Sequence, residues 1–149
     1  MYMLINISKF LIFLILFFQI FFAHSSEKFL SLKKNKVNVR YGPSFDFPIK
    51  FVYEKKNLPI KQIDKKENFR RIIDHKKNSG WIHISQLKKA NSVITLNNKI
   101  MFQKSTIFSK PIAKVKKGRL LVIKKCEAKW CKIETEDLKG WVNKNDLWG

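Results

Sequence analysis

The sequence carries the same short pattern twice, once near its middle and once at its end. Gly80-Trp81-Ile82 is followed by Leu87, and Gly140-Trp141-Val142 is followed by Leu147, six residues after the tryptophan in both cases. A pattern that repeats in both residue type and spacing indicates an internal duplication. Two units of about 60 residues would each bury only a thin core, so we expect them to pack together for stability.

The duplication extends upstream with a small change of spacing. Phe69 lies twelve residues before Trp81, and Trp130 lies eleven residues before Trp141.

The beginning of the chain differs in composition from the repeats. Lys9 is followed by residues 10–23, which carry no charge, and then by the small residues expected before a signal peptidase site, Ala23-His24-Ser25. This pattern predicts a secretory signal peptide over residues 1–25. The alternative is an uncleaved anchor, since a run of about 20 apolar residues can cross a bilayer. The expected domains are then residues 26–90 and 91–149.

The two cysteines lie close together in the second repeat. Cys126 and Cys131 are separated by four residues that can form a hairpin connection, and an oxidising compartment would allow a disulfide between them. Two free buried thiols are the alternative. The spacing fits neither a C-x-x-C redox motif nor a zinc site, and we expect no metal and no cofactor.

Short strand patterns dominate residues 26–149. Alternating or apolar segments cover residues 37–39, 49–53, 58–63, 69–73 and 81–84, with turn residues between them, and a similar order begins again at Val93. No segment keeps a helical apolar period for three turns. The pattern predicts an all-β chain of two tandem small barrels that pack together, joined by the short polar link at residues 88–92.

Three segments of the first repeat resemble a known family. They are Val37-Asn38-Val39-Arg40-Tyr41-Gly42-Pro43-Ser44, Phe69-Arg70-Arg71-Ile72, and Gly80-Trp81-Ile82-His83 with Leu87. Together they resemble a bacterial SH3-like domain, and the second repeat is similar to a degenerate copy. The resemblance implies a five-stranded SH3-like barrel per repeat and a role in binding cell-wall peptides or protein partners. The second copy has no Arg-x-Gly-Pro-Ser segment, so a ligand site on that loop is expected once, in the first repeat.

The loop at residues 40–46 is the best candidate for that site. Glycine allows a tight backbone path and proline stiffens it, so polar and aromatic side chains would project from a rigid loop, with two nearby aromatics adding contact area. The candidate ligand-binding residues are Arg40, Tyr41, Gly42, Pro43, Ser44, Asp46, Tyr53 and Trp81. Arg40 would pair with a ligand carboxylate. In the alternative reading, Arg40 pairs with Asp46 to hold the loop, and Trp81 fills the barrel.

The sequence has no catalytic pattern that indicates an enzyme, and its large positive charge has two alternative explanations. The chain has 31 Lys and Arg against 11 Asp and Glu, a formal net charge of +20. Such a charge attracts anionic polymers and membrane surfaces, although a compositionally biased genome would also produce it. His75 and His83 lie in no recognised catalytic motif, and the carboxylates are scattered.

We therefore expect a non-catalytic protein exported across the inner membrane into the periplasm. Its expected partner is cell-wall peptide or peptidoglycan, or an envelope protein, and export argues against nucleic acid. A structural or regulatory adaptor is the alternative function, and a membrane association is expected only if the N-terminal segment is uncleaved.

Overall fold

A computed structural model describes residues 28–135 and 137–149, so the predicted signal peptide lies outside the described residues. The first repeat consists of seven strands and one short 3-10 helix. These are β1 (Lys28–Leu32), β2 (Val37–Arg40), β3 (Ile49–Tyr53), β4 (Pro59–Lys66), β5 (Phe69–Ile73), β6 (Ser79–His83), the 3-10 helix Ile84–Gln86, and β7 (Leu87–Lys89).

The second repeat contains seven strands in the same order. They are β8 (Ser92–Thr95), β9 (Lys99–Phe102), β10 (Pro111–Val115), β11 (Leu120–Glu127), β12 (Trp130–Glu134), β13 (Lys139–Asn143) and β14 (Leu147–Trp148). In the described part of the chain, no helix is long and apolar enough to cross a membrane.

The two sheets have the same topology. Their strand orders are β3-β2-β6-β5-β4-β1-β7 and β10-β9-β13-β12-β11-β8-β14. Adding seven to each strand number of the first sheet gives the order of the second. All pairings are antiparallel. The predicted all-β fold of two tandem barrels is confirmed, with seven strands per repeat instead of five. The link between them is shorter than residues 88–92, because β7 ends at Lys89 and β8 begins at Ser92.

The repeated Gly-Trp pattern has a packing reason. A Cβ atom on Gly80 would lie 2.4 Å from Cγ1 of Val39, and one on Gly140 would lie 2.5 Å from Cγ of Met101. The close approach of β6 to β2, and of β13 to β9, therefore requires glycine.

The difference in spacing before the two Gly-Trp pairs arises in one turn. β5 and β6 are separated by residues 74–78, whereas β12 and β13 are separated by residues 135–138. The connection in the first repeat is thus one residue longer, which accounts for the difference in spacing.

The two barrels pack against each other through β8. Ile94, which is 1% exposed, belongs to the hydrophobic core of the first barrel although it lies on a strand of the second. The hydroxyl groups of Ser31 and Ser92 are hydrogen-bonded at 2.9 Å in a buried position. Nearby, the rings of Phe29 and Trp148 meet edge to face at 5.0 Å. The predicted packing of the repeats is therefore present.

The predicted disulfide is also present. Cys126 and Cys131 are direct cross-strand partners in the β11–β12 hairpin and are joined by a disulfide. The hairpin turns at Ala128, which has a positive φ of 41°. A disulfide of this kind is typical of proteins in oxidising compartments.

Candidate functional site

The loop at residues 41–48 connects β2 to β3 and is held by its own hydrogen bonds. Gly42 is buried, and a Cβ atom there would lie 2.5 Å from the ring of Phe47, so the path needs glycine. The hydroxyl of Ser44 donates to Oδ2 of Asp46 at 2.6 Å and accepts from the Asp46 backbone N–H at 3.1 Å. Pro43 lies between Gly42 and Ser44 and is half-buried. The loop is therefore a closed, ordered unit.

Arg40 holds this loop through carbonyl groups. Its Nη1 donates to the carbonyl oxygens of Phe45 at 3.1 Å and Phe47 at 2.6 Å, and its guanidinium carbon lies 5.4 Å from the centre of the Phe45 ring. Asp46 is bonded to Ser44, and among the described residues it forms no ion pair with Arg40. Arg40 thus holds the loop in place through backbone carbonyl groups, and not through the Arg40–Asp46 pair that the sequence suggested as an alternative.

A small cleft lies beside the loop, where β2, β5 and β6 are adjacent. Trp81 is the cross-strand partner of both Arg40 and Arg71. The cleft has a volume of about 110 Å³. Its lining residues are Arg40, Tyr41, Lys50, Arg71, Ser79, Gly80 and Trp81.

The cleft combines positive charge with aromatic surface. Lys50 donates from Nζ to the carbonyl oxygen of Ser79 at 3.0 Å and lies 5.6 Å from the centre of the Tyr41 ring. Tyr41 is 62% exposed, and Arg71 is also exposed. Three cationic side chains line the cleft, and none of the described residues that line it is acidic. The arrangement can bind a carboxylate next to a planar or apolar group.

Tyr53 lies apart from this cleft. Its hydroxyl donates to Oδ2 of Asp74 at 3.0 Å, and its ring meets that of Phe51 edge to face at 5.1 Å. Burial, together with the neighbouring Asp74 carboxylate, raises the pKa of Tyr53 above its usual value. Tyr53 therefore closes one side of the barrel, while Arg40, Tyr41 and Trp81 are the predicted site residues that come together at the cleft.

Four cleft residues were not selected as site residues from the sequence. They are Lys50, Arg71, Ser79 and Gly80. A signal for Arg71 was available, because the β5–β6 hairpin places Arg71 directly opposite Trp81. Lys50 on β3 and Ser79 on β6 are brought together because both strands lie beside β2, an arrangement that no local pattern reveals.

The second barrel does not reproduce the cleft. Phe102 occupies the position of Arg40, since it is the cross-strand partner of Trp141, and its ring meets that of Trp130 edge to face at 5.7 Å. The following loop exposes Phe108, which is 92% exposed, instead of burying a glycine.

The fold defines a small all-β barrel domain that is present in two copies, and the first copy carries the cleft. The chain matches the bacterial SH3 domain family over residues 33–89 and again over residues 98–149. These segments make up more than half of the chain, which therefore belongs to the bacterial SH3 domain family. A comparison with curated proteins finds no match.

The comparison with solved structures finds two proteins with low similarity to this chain. NlpC2 from Trichomonas vaginalis is 10% identical, with a TM-score of 0.38 over 85% of this chain and 49% of that chain. NlpC1 from the same organism is 10% identical, with a TM-score of 0.38 over 84% of this chain and 46% of that chain. The chain thus spans about half the length of either protein.

Proposed function

We propose that this protein is an exported, non-catalytic binding module whose first barrel recognises a peptide or glycopeptide of the cell wall. The observation that carries the proposal is the cleft of the first barrel, which has three cations and two aromatic side chains but no acidic lining residue. Wall peptides end in carboxylates, and such groups are bound best by guanidinium and ammonium groups held on a rigid scaffold.

The hydrogen bonds and exposure of the two cleft arginines indicate different roles in ligand binding. Arg40 is engaged with the carbonyl groups of its loop, so its contribution is to hold Tyr41 in place. Arg71 is exposed and faces Trp81, and it is the residue we assign to the ligand carboxylate. A volume of about 110 Å³ is a few times the roughly 30 Å³ that one water occupies in the liquid. The cleft therefore suits one side chain or one chain end, and Tyr41 extends the contact.

Two further observations support the proposal. The chain belongs to the bacterial SH3 domain family, whose members are associated with the binding of wall peptides and of proteins. The disulfide is compatible with an oxidising compartment, in agreement with the predicted signal peptide.

Sedimentation with isolated peptidoglycan sacculi tests the proposal. All members of both hydrophobic cores lie between Leu30 and Leu147, so a chain that starts at residue 26 contains both barrels. We expect this chain to sediment with sacculi at low salt and also at about 1 M salt, where screening limits charge attraction to about 3 Å.

A pair of variants on one strand separates recognition from charge. Arg71→Ala removes the proposed carboxylate partner, and we expect binding to weaken at least about tenfold, as for loss of a charge-assisted hydrogen bond. Arg70→Ala removes the same charge from the neighbouring residue, which bonds to the carbonyl groups of Glu67 and Phe69, and we expect near-normal binding. Release at high salt, or equal losses in both variants, would reduce the interaction to non-specific electrostatics. No sedimentation at all would favour the adaptor function.

A further inference from the structure

A wide groove lies on the second barrel. It runs along β10 and the beginning of β11, and it ends at the turn of residues 135–138. Its volume is about 1070 Å³, roughly ten times that of the cleft on the first barrel. Sites for small ligands range from about 300 to 1000 Å³, so this groove has room for a ligand of several residues.

The strand registers explain why the groove is open. Phe51 is opposite Val39 in the first barrel, and Ala113 is opposite Met101 at the equivalent position of the second. Two pairs further along, on the same face, Tyr53 is opposite Val37, whereas Val115 is opposite Lys99. The second barrel therefore has alanine and valine where the first has two aromatic rings.

The contact that closes the first barrel is lost as well. The Tyr53 hydroxyl joins β3 to Asp74, the first residue after β5. Thr135, the first residue after β12, faces no such partner on β10 and instead bonds within its own turn. Its Oγ1 accepts from the Leu138 backbone N–H at 3.1 Å and donates to the Leu138 carbonyl oxygen at 3.3 Å. Nothing among the described residues ties β10 to this turn in the way that Tyr53 ties β3.

The rim of the groove is positively charged. Four cations line it, Lys114, Lys116, Arg119 and Lys124, against two described acids, Glu134 and Asp137. Glu134 is already bridged to Lys124 at 2.7 Å and to Lys139 at 2.6 Å. These lysines lower the pKa of Glu134 to about 2, so its charge is permanent and is balanced by its partners. Among the described residues, no ion pair engages Lys114, Lys116 or Arg119, so these cations can meet an acidic ligand.

We propose that this groove binds an extended acidic peptide of a protein partner, which places an aromatic side chain over Ala113 and Val115. The aromatic group would replace the rings that the first barrel supplies itself, and acidic residues beside it would meet Lys116 and Arg119. β10 is an edge strand with β9 as its neighbour, so an extended peptide can also pair with its backbone. A second copy of this chain is a poor occupant, because each copy has a formal charge of +20.

The test selects binders from a library of random peptides displayed on phage, with the chain from residue 26 as the immobilised target. We expect enrichment of peptides in which Phe, Tyr or Trp lies beside Asp or Glu. Synthetic copies of the enriched peptides are then titrated by fluorescence anisotropy, together with copies in which the aromatic residue is replaced by serine. The serine copies are expected to bind at least about tenfold more weakly, which is roughly the loss of one well-packed anchor.

A filled-groove variant connects the peptides to this site. The triple variant Ala113→Phe, Val115→Tyr and Thr135→Asp introduces into the second barrel the two aromatic rings and the carboxylate that the first barrel has at these positions. Peptide affinity should then fall at least about tenfold. The matched control, Ile112→Phe, adds a ring to β10 at a residue that does not line the groove, and should bind normally. Arg119→Glu is a milder second variant, because Arg119 is exposed, and it should weaken the acidic peptides at moderate salt.

The outcomes separate this site from the cleft of the first barrel. Arg71→Ala should leave peptide binding unchanged, and circular dichroism with thermal unfolding confirms that each variant is folded. The proposal is overturned if no acidic aromatic sequence is enriched, if the serine copies bind equally well, or if both the filled variant and Arg119→Glu retain full affinity.

Discussion

Asp74 is 3% exposed, yet its carboxylate is surrounded by hydrogen-bond donors that stabilise its charge. Its carboxylate accepts from the Tyr53 hydroxyl at 3.0 Å, the Lys76 backbone N–H at 2.8 Å, and both the backbone and side-chain N–H groups of Asn78 at 2.9 Å. Burial of a carboxylate is unfavourable unless such bonds compensate. This cluster is therefore a main polar contribution to the stability of the first barrel.

The Tyr53 hydroxyl can be tested directly. Tyr53→Phe keeps the ring contact with Phe51 but leaves the buried Asp74 carboxylate with one donor fewer. We expect the free energy of unfolding to fall by about 1–3 kcal/mol, the usual cost of an unpaired buried group. Urea unfolding measures the change. Tyr41→Phe is the matched control, because the Tyr41 side chain is 62% exposed, and an equal loss in both variants would contradict this role.

Asp74 also predicts a dependence of stability on pH. Burial alone would raise the pKa of Asp74, but the hydrogen bonds from Asn78, Tyr53 and Lys76 outweigh it and hold the pKa below the ordinary 3.8. The folded state therefore binds this proton less readily than the unfolded state, so the stabilisation is complete above pH 3.8 and is lost as the pH falls through the lower, folded value.

Asp74→Asn removes this titration. The variant is expected to be less stable at neutral pH, and its stability should fall less steeply than that of the wild type below pH 3.8. Urea unfolding at a series of acidic pH values provides the comparison. Parallel curves for the two proteins would show that the pH dependence comes from other groups.

The residues of the cleft were only partly predictable from the sequence. Arg40, Tyr41 and Trp81 follow from the Arg-x-Gly-Pro-Ser and Gly-Trp patterns, because those patterns fix a tight loop beside a strand pair. Tyr53 was misleading, since an aromatic residue in an alternating strand gives no sign of which face it occupies. Arg71 could have been found from the local β5–β6 hairpin, whereas the place of Lys50 depends on strands that meet from different parts of the chain.

At the level of the secondary-structure elements, the hairpin turns are the strained points. β11 and β12 are joined through Ala128, whose φ is 41°, and the equivalent turn of the first repeat has Glu67 at 45°. A side chain is unfavourable in this region by about 1–2 kcal/mol relative to glycine. The disulfide between Cys126 and Cys131 lies directly beside the strained turn and holds the hairpin closed.

Relief of this strain should stabilise the second barrel. Ala128→Gly is expected to raise the free energy of unfolding by about 0.5–1 kcal/mol, after the greater entropy of glycine in the unfolded chain is deducted. Thermal unfolding under oxidising conditions measures the gain. Ala113→Gly, in the middle of β10, should instead lower stability by about 0.5–1 kcal/mol. If both variants are destabilised, the turn does not carry the inferred strain.

The strands themselves were largely visible in the sequence, for reasons that also explain the exceptions. Short apolar and alternating segments separated by turn residues identified β2 to β6, because small barrels need one buried face on each strand. β7 was assigned to a polar link, since Lys88 and Lys89 give it no apolar pattern. Its place in the sheet comes from pairing with β1, a contact between segments that are far apart in the chain.

At the scale of the whole molecule, the duplication predicted two barrels but not how they share a core. Ile94 begins the second repeat and pairs with Leu120 in its sheet, while its side chain is packed in the core of the first barrel. Leu120 is packed against the same core. Sequence periodicity shows that β8 is buried, but it does not show which barrel covers each side chain.

This shared core makes the unfolding of the two barrels interdependent. Ile94→Ala should cost about 2–5 kcal/mol, as other large-to-small core substitutions do, and it should loosen the first barrel although the substitution lies in the second repeat. Amide hydrogen exchange read by mass spectrometry reports on each barrel separately. We expect faster exchange in β4 and β5 as well as in β8 and β11.

Ile133→Ala is the matched control, because Ile133 is equally buried but belongs to the core of the second barrel. Its effect on exchange should be concentrated in the second barrel. If Ile94→Ala leaves the exchange rates of β4 and β5 unchanged, as the control does, the barrels unfold independently. Ligand binding to the groove would then have no effect on the cleft. If both barrels respond, a peptide bound beside β10 and β11 should also slow exchange in the first barrel, since Leu120 lines the groove and contacts the shared core.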